Sequence, residues 1–377
     1  MSSIRPAARF DSVGLSLIRQ INDLGTPDCV NLGLGEPNLE PDETLRALMD
    51  RAAREFPLGY SAVPGTLELR ERIGSMYEMD PDQVCVTTGS EEALYAVLQG
   101  FVGPGDEVLL PDPGFAVYSS MVSLAGGTPV AYPLQPPEWG IDLDRFESLV
   151  NPATKAILLN SPSNPTGGIL DQTQIRQVIE IAEKHGALVV SDEVYREIYY
   201  DEKPASAAGI SENVVILSSL SKSHGLTGLR LGWMAASREL MATLRKAHHY
   251  MTICASTYSQ KLAELILAEE SWNEKWLEKA RTQFAGQRDA AIDALREHVG
   301  PVDSVDTGAF YIFQPVPTCR TLEFAKNLAT ESKLLMIPGS AFGEVGEGFL
   351  RISYASSEEK IREGIRRLGE ALERAES

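Results

Sequence analysis

The chain of 377 residues is longer than one hydrophobic core usually requires, and its length predicts two domains. Hydrophobic residues make up 43% of the chain and charged residues 23%, which is typical of a globular protein. The formal net charge of -19 at pH 7 repels phosphodiester backbones and anionic lipids. Nucleic acid and membrane surfaces are therefore excluded as expected partners.

Neither the cysteines nor the histidines form a metal-binding pattern. The four cysteines are far apart and include no C-x-x-C pair, so we predict no metal site and no disulfide framework. We interpret the adjacent His248 and His249 as a pair on a helix surface. Residues 1–10 lack the apolar run of a secretory signal, and no run of about 18 apolar residues is present. The expected location is the cytoplasm.

Short apolar runs alternate with helical patterns in the first two thirds of the chain. Seven runs are predicted strands: 84–86, 108–110, 130–132, 156–159, 188–190, 214–217 and 233–235. Helices are predicted between them at 91–101, 116–124, 144–149 and 172–185. This alternation indicates an α/β fold with a mostly parallel sheet that helices cover on both faces.

The pattern changes after residue 237, where helix dominates up to about residue 299. Apolar residues spaced by four predict one stripe along a long helix: Trp272, Trp276, Ala280 and Phe284. Strands are predicted again at 309–313, 334–337 and 349–353, with a helix at 322–331. We therefore expect a large domain over 45–275, and a smaller α+β domain that combines 276–377 with the N-terminal segment 1–44.

The stretch from Ser218 to Arg230 carries the strongest chemical signal. An apolar run leads into it, and Lys222 lies among small and hydroxyl residues. A lysine that a buried strand carries into a pocket loses water, which lowers its pKa and frees the amine for a Schiff base. The hydroxyls and Arg230 suit an anion such as phosphate. Taken alone, the segment is also open to interpretation as a surface loop with a solvated lysine.

In a parallel sheet, ligands bind beyond the carboxyl ends of the strands, so the residues that follow each predicted strand are informative. Gly89 and Ser90 follow the first strand and begin a helix whose free N–H groups suit a phosphate, although Ser90 is also an ordinary N-cap residue. Phe115 follows the second strand, where its ring suits stacking on a flat cofactor. The alternative for Phe115 is an aromatic residue of the core.

Two further strand ends carry polar residues. Asn164 lies between prolines in the rigid loop 160–168, and its amide suits a hydrogen bond to a ring oxygen. Asp192 and Tyr195 are three residues apart, so one turn can direct both at the same ligand. A buried carboxylate requires a cationic partner, which a protonated pyridine nitrogen would supply. The alternative for Asp192 is a helix N-cap.

Together these residues resemble a pyridoxal-phosphate (PLP) enzyme of the class I/II aminotransferases, in the aspartate aminotransferase superfamily of fold type I. The resemblance implies a seven-stranded, mostly parallel sheet in the large domain. The matching motifs occur in the family's order and cover nearly the whole chain: Gly35-Glu36-Pro37, Tyr60 with Gly65, Thr88-Gly89-Ser90, Asn164-Pro165-Thr166-Gly167, Asp192-Glu193-Val194-Tyr195, Ser221-Lys222 through Arg230, Pro338-Gly339-Ser340-Ala341-Phe342-Gly343, and Arg351-Ile352-Ser353.

The resemblance implies catalytic roles for three residues and cofactor contacts for two more. Lys222 would hold PLP as a Schiff base and later move the substrate proton. Asp192 would pair with the pyridinium nitrogen and keep the ring an electron sink. Tyr195 and Asn164 would bond the ring oxygen, and Phe115 would stack on the ring.

It also implies the residues that bind the phosphate and the substrate. Tyr60 would reach the phosphate of a neighbouring subunit, which implies a homodimer. Arg351 would clamp the substrate carboxylate beside Asn164, and the backbone at Gly35 would close over the substrate. Gly89, Ser90, Ser219 and Arg230 would hold the phosphate, and Glu91 would also belong to the cofactor-binding residues.

The function implied is transfer of an amino group from an L-amino acid to a 2-oxo acid by a ping-pong mechanism. A PLP-dependent lyase, decarboxylase or cyclising enzyme would share the same motifs. A DNA-binding regulator would carry an additional basic domain, and a nicotinamide enzyme would need the third glycine that Gly33-Leu34-Gly35 lacks. No second arginine for a side-chain carboxylate is identifiable, which disfavours a dicarboxylate substrate.

Overall fold

The computed structural model describes residues 5, 7–11, 13–302 and 308–376. Within them the strands are β1 (Val30–Asn31), β2 (Val84–Thr87), β3 (Glu107–Asp112), β4 (Thr128–Gln135), β5 (Gly140–Ile141), β6 (Thr154–Asn160), β7 (Leu188–Asp192), β8 (Val214–Ser219), β9 (Gly232–Ala236), β10 (Tyr311–Pro315), β11 (Leu334–Leu335), β12 (Ile337–Pro338) and β13 (Phe349–Ser353).

The α-helices of the same residues are α1 (Leu17–Asn22), α2 (Glu43–Glu55), α3 (Leu67–Ser75), α4 (Ser90–Phe101), α5 (Val117–Ala125), α6 (Leu143–Leu149), α7 (Gln172–His185), α8 (Arg238–Thr252), α9 (Thr257–Ala268), α10 (Glu270–His298), α11 (Thr321–Thr330) and α12 (Glu358–Glu376). None of the helices described is long and apolar enough to cross a membrane.

The largest sheet of the described residues has the strand order β2-β9-β8-β7-β6-β3-β4-β5. The pairs from β8 through β7, β6 and β3 to β4 are parallel, whereas β9 runs antiparallel to both β2 and β8. The predicted mostly parallel α/β sheet is therefore confirmed. The seven predicted strands are all present, and the two-residue strand β5 adds an eighth at one edge.

The central strands are apolar on both faces because helices cover both sides of the sheet. Along β6, Ile157 packs into one hydrophobic cluster and Leu158 into the other. Val189 and Val190 on β7 divide in the same way. This explains why these strands are nearly continuous apolar runs in the sequence rather than alternating patterns.

The N-terminal segment pairs with the C-terminal part of the chain. Strand β1 runs parallel to β11, with Val30 opposite Leu334, while β13 lies between β10 and β12 in a separate sheet. The carboxylate of Asp112, at the end of β3, accepts hydrogen bonds from the backbone N–H groups of Glu344 and Val345. These contacts bring the C-terminal sheet against the carboxyl ends of the large sheet.

The predicted apolar stripe lies on the 29-residue helix α10, with Trp276, Ala280 and Phe284 buried. The interpretation of His248 as a surface residue is wrong. His248 is 0% exposed, and it hydrogen-bonds to Glu92 at 2.7 Å and to the carbonyl of Val63 at 3.0 Å. Only tertiary packing makes this side of α8 internal, so a two-residue pattern could not reveal it.

The large sheet packs closely against the turn before α4 at Gly232, the first residue of β9. A Cβ at Gly232 would lie 2.6 Å from the backbone N of Ser90 and 2.9 Å from the carbonyl O of Ser218. Because backbone cannot move aside cheaply, we expect Gly232→Ala to lower the free energy of unfolding by about 1–3 kcal/mol. Gly286→Ala, in open space on α10, is the control and should raise it by about 1 kcal/mol. Urea denaturation measures both, and equal effects of the two changes would contradict this packing.

Candidate active site

The polar ends of three parallel strands lie together at one edge of the large sheet. Asn160 on β6 is in register with Asp192 on β7, and Ser219 ends the neighbouring strand β8. All three line a cavity of about 490 Å³. The chain folds this way because the apolar runs stop at the same level, so the polar residues that follow them meet.

Most of the residues predicted for the site line this cavity. They are Gly35, Ser90, Glu91, Phe115, Asn164, Asp192, Tyr195, Ser219, Lys222, Arg230 and Arg351. Gly89 lies beside it, since a Cβ at Gly89 would be 2.6 Å from Nη2 of Arg230. Tyr60 does not line the cavity of its own chain and is 83% exposed, so its predicted role in a neighbouring subunit stays a prediction.

Lys222 extends into the cavity and donates a hydrogen bond of 2.7 Å to the carbonyl oxygen of Gly35. Its Nζ lies 5.9 Å from the centre of the Tyr195 ring. Removal from water, reinforced by the positive charge of Arg351, lowers the pKa of Lys222 to about 8. An amine with this pKa is neutral in roughly a tenth of the molecules at pH 7, about 300 times the fraction for an ordinary lysine.

Asp192 lines the same cavity as Lys222, and its carboxylate is buried. Its Oδ2 accepts a hydrogen bond of 2.8 Å from the hydroxyl of Tyr118, and Oδ1 accepts one of 3.3 Å from the backbone N of Val194. Burial raises the pKa of Asp192 to about 6, and these two donors together with Lys222 limit the rise. A carboxylate in this state is stabilised by any cation that enters the cavity beside it.

Arg351 on β13 connects the C-terminal sheet to two other parts of the site. Its Nη1 donates to Oδ1 of Asn164 at 2.9 Å, and its Nη2 donates to the carbonyl oxygen of Gly33. The guanidinium also lies 4.6 Å from the centre of the Tyr311 ring. Its buried Nε has no hydrogen-bond partner among the described residues, so the guanidinium retains capacity for an anionic ligand.

Tyr195 is buried, lines the same cavity as Asn164 and shares a hydrogen bond of 2.8 Å with the hydroxyl of Tyr311. The N-terminal segment packs closely against Tyr311 at Gly35, because a Cβ at this position would lie 2.1 Å from the Tyr311 hydroxyl oxygen. Burial raises the pKa of Tyr195 well above its usual value, and Tyr311 adds to the rise. Both hydroxyls therefore stay protonated near neutral pH; one of them donates to the other, and the second keeps its proton for a ligand in the cavity.

The turn before α4 forms the other end of the cavity. Gly89 has φ 83°, a conformation that favours glycine, and the first residues of α4 after it, Ser90 and Glu91, line the cavity. Arg230 has φ 48°, and its guanidinium lies beside Gly89. Its Nη1 donates to the carbonyl of Thr227, in the loop that carries Lys222, at 3.1 Å. A helix N-terminus with an arginine beside it suits a phosphate group.

The donor set fits PLP at every part of that molecule. The cavity offers an anion site at the start of α4, an aromatic ring from Phe115 and a nucleophilic amine at Lys222. The hydrogen bonds described for the Asp192 carboxylate come from neutral donors, so the cation that a buried carboxylate requires is the piece that a protonated ring nitrogen would supply.

Comparison with known proteins agrees with this geometry. The model of the family described as aminotransferase class I and II matches residues 27–368. The chain belongs to this family. It is therefore an aminotransferase, a transferase of amino groups, and its family uses PLP; nothing in the comparisons supports the lyase alternative.

Relatives of this aminotransferase carry several substrate names. It is 36% identical to the probable aspartate aminotransferase of Methanocaldococcus jannaschii, over 97% of this chain and 100% of that protein. It is 33% identical to aromatic-amino-acid aminotransferase 2 of Thermococcus litoralis, over 97% of each. The solved N-succinyldiaminopimelate aminotransferase from Mycobacterium tuberculosis matches with a TM-score of 0.91 and 28% identity, over 97% of this chain and 100% of that one. Membership of the family therefore leaves the substrate open.

Sequence reasoning missed Tyr118 and Tyr311, which both line the cavity. Tyr118 lies in the first turn of α5, three residues after Phe115, so the helix predicted at 116–124 could have placed its side chain beside that of Phe115. Tyr311 lies on β10, far from the motifs in sequence, and only the packing of the C-terminal sheet brings it to Tyr195. His224, whose role the sequence left open, is buried outside this cavity and hydrogen-bonds to Asn273 at 2.7 Å, so it packs.

Tyr118→Phe tests the electrostatics of Asp192. The change removes a hydroxyl that donates to the carboxylate and lowers its pKa, so we expect the pKa of Asp192 to rise above about 6 in the cofactor-free aminotransferase. Infrared difference spectra over pH measure the protonated carboxyl band, and Asp192→Asn identifies it. Ser119→Ala, on the same helix, is the control and should leave the band unchanged. An unchanged or lower pKa in the phenylalanine variant would contradict the assignment.

Proposed function

We propose that this aminotransferase moves an amino group from an L-amino acid to a 2-oxo acid through PLP attached covalently to Lys222. The observation that carries this proposal is that a reactive amine and a buried carboxylate line the same cavity. Lys222 is an amine with a pKa lowered to about 8, and Asp192 is a buried carboxylate whose hydrogen bonds within the described residues come from the neutral donors Tyr118 and Val194.

When bound, PLP supplies an electron sink that makes the Cα proton of the substrate removable. Asp192 would keep the ring nitrogen protonated, while Tyr195 and the side-chain N–H of Asn164 would donate to the ring oxygen. Phe115 would cover one face of the ring. The residues proposed to bind or surround the phosphate are Gly89, Ser90, Glu91, Ser219 and Arg230.

Arg351 would bind the α-carboxylate of the substrate, since two of its three nitrogens are already fixed by Asn164 and Gly33. A guanidinium oriented in this way loses little conformational freedom when it forms a bidentate pair. Once the substrate amine has displaced Lys222 from the cofactor, its free Nζ would take the Cα proton and deliver it to C4′ of the cofactor. Its bond to the Gly35 carbonyl places the N-terminal segment over the same position.

We also propose a homodimer, in which Tyr60 reaches the site of the partner. Exposed apolar side chains support this proposal: Leu58 is 92% exposed and Tyr250 is 85% exposed. The segment that carries Tyr60 packs against the start of α9, since the hydroxyl of Thr257 donates to the carbonyl of Pro57 at 2.8 Å. A second copy of the chain would cover these side chains.

The cellular location and the division of the chain into domains are also part of the proposal. A cytoplasmic location suits the four free cysteines, because unpaired thiols persist in a reducing compartment. A large domain over 45–275 and a small domain formed by 1–44 and 276–377 agree with the pairing of β1 and β11. The second boundary falls inside the first turns of α10, so this helix would connect the two domains.

Single amino acids mixed with the PLP-loaded protein test the function. We expect the visible absorption of the bound cofactor to change to that of its amino form, and a 2-oxo acid to appear in equal amount. Lys222→Ala should abolish this conversion, while Lys275→Ala, an exposed lysine on α10, should not alter it. Release of carbon dioxide, or of ammonia together with the 2-oxo acid and without conversion of the cofactor, would refute transamination.

The rate of PLP capture by the cofactor-free protein should rise with pH through about 8, because only the neutral amine of Lys222 reacts.

Mixed dimers test the role of Tyr60. A dimer of one Lys222→Ala chain and one Tyr60→Ala chain contains one intact site only if Tyr60 serves the neighbouring subunit. We therefore expect the mixed dimer to recover about half the activity of the native dimer, while each variant alone stays low. Co-expression with two affinity tags isolates the mixed species. Activity no higher than that of the Tyr60→Ala dimer would show that Tyr60 acts within its own chain.

A further inference from the structure

The turn that carries Lys222 separates two cavities. Lys222 lines the active-site cavity, whereas Ser223 and His224 line a second cavity of about 380 Å³ behind the turn. Ser219, at the end of β8, lines both cavities. The turn is short, because the backbone N of His224 donates to the carbonyl oxygen of Leu220 at 3.2 Å. A rotation of this turn that displaced His224 on one side would therefore displace Lys222 on the other.

His224 attaches the far side of the turn to helix α10. Its Nε2 donates to Oδ1 of Asn273 at 2.7 Å, and its Nδ1 accepts from the hydroxyl of Ser223 at 2.9 Å. An amide oxygen only accepts hydrogen bonds, so the neutral ring carries its proton on Nε2. Burial lowers the pKa of His224, which keeps the ring in this neutral form near pH 7. Both ring nitrogens are therefore used, and the two bonds define one orientation of the ring.

The same helix also holds the segment that Lys222 contacts on the cavity side. Gln283 on α10 donates from Nε2 to the carbonyl oxygen of Asn38 at 3.3 Å and to its Oδ1 at 3.2 Å, and Gln287 donates to the same Oδ1 at 3.3 Å. Asn38 lies three residues after Gly35, whose carbonyl accepts the bond from Lys222. Helix α10 therefore supports both the turn that carries the amine and the segment that carries its acceptor.

Orientation explains this polar pair better than stability does. His224 is 3% exposed, and a hydrogen bond between buried side chains contributes little net free energy, because each group gives up its bonds to water. Two apolar side chains of similar size would stabilise the fold about as well. They would not fix a direction, however, because apolar contacts have none.

We propose, on the basis of the proposed attachment of PLP to Lys222, that His224 is a positioning residue. Through Asn273 it holds the lysine turn at the angle from which Nζ reaches the cofactor and the Cα proton. Neither side chain of the pair lines the active-site cavity, so neither contacts the reacting atoms. The pair should affect rate rather than substrate affinity, since Arg351, which would bind the substrate, lies on a different sheet.

Apolar replacement of the pair tests this inference. His224→Phe leaves Asn273 unpaired, while the double variant that adds Asn273→Leu replaces both partners and should restore the free energy of unfolding measured in urea. We expect both variants to capture PLP about tenfold more slowly than the native protein, because a misplaced reacting group lowers the rate. Rates are compared on the high-pH plateau of each protein, where the amine is neutral and its pKa no longer contributes. In the loaded protein, kcat should fall by a similar factor while KM stays unchanged.

Two further variants serve as controls. His224→Gln keeps a side-chain N–H that can donate to Asn273, so it should retain most of the native capture rate. His185→Phe replaces an exposed histidine at the end of α7, outside both cavities, and should change nothing. A double variant that is as stable as the native protein and captures PLP at the native rate would overturn the positioning role.

Crystal structures of the cofactor-free proteins separate this inference from the proposed reaction, because they show the position of Nζ without any chemistry. We expect the 2.7 Å bond from Lys222 to the Gly35 carbonyl in the native protein and in His224→Gln, and its loss in His224→Phe. Persistence of this bond in the phenylalanine variant would contradict the inference. If the native protein captures no PLP while Nζ moves in His224→Phe, the attachment of PLP fails and the positioning of Lys222 by His224 stands.

Discussion

The structure depends on the removal of two charged groups from water at one edge of the large sheet. Lys222 and Asp192 lie beyond strands that are apolar on both faces, so burial opposes the charge on each side chain. The amine becomes reactive for the same reason that the carboxylate becomes a weak acid. A cofactor that bonds to the first and brings a cation to the second relieves both costs at once.

The second requirement is closure of the cavity by distant parts of the chain. Arg351 on the C-terminal sheet donates to Gly33 in the N-terminal segment and to Asn164 in the large sheet's loop. Lys222 donates to Gly35 in the same N-terminal segment. Three regions that are far apart in sequence therefore meet within hydrogen-bond distance, and the short β1–β11 pairing keeps the N-terminal segment in place.

Strand ends could be predicted from the sequence because a buried parallel strand is a continuous apolar run. The first polar residue after the run marks the end of the strand. Lys222, Asp192 and Asn164 were found in this way. Tyr311 and His248 were not, because a tyrosine in an amphipathic strand and a histidine in an exposed-looking helix acquire their partners only through tertiary packing. Local patterns carry no information about which distant residue will lie opposite.

The loop that carries Lys222 differs from the other loops of the site in how its ends are fixed. Residues 220–231 connect the antiparallel neighbours β8 and β9, and Ser219 is in register with Gly232 where the loop begins and ends. The loops after β2, β3 and β6 lead instead towards helices, whose length can absorb a change. An insertion or deletion in 220–231 would have to be accommodated between two paired residues. A change of length in this loop would therefore move Lys222 relative to the cavity, while both ends of the loop stayed paired.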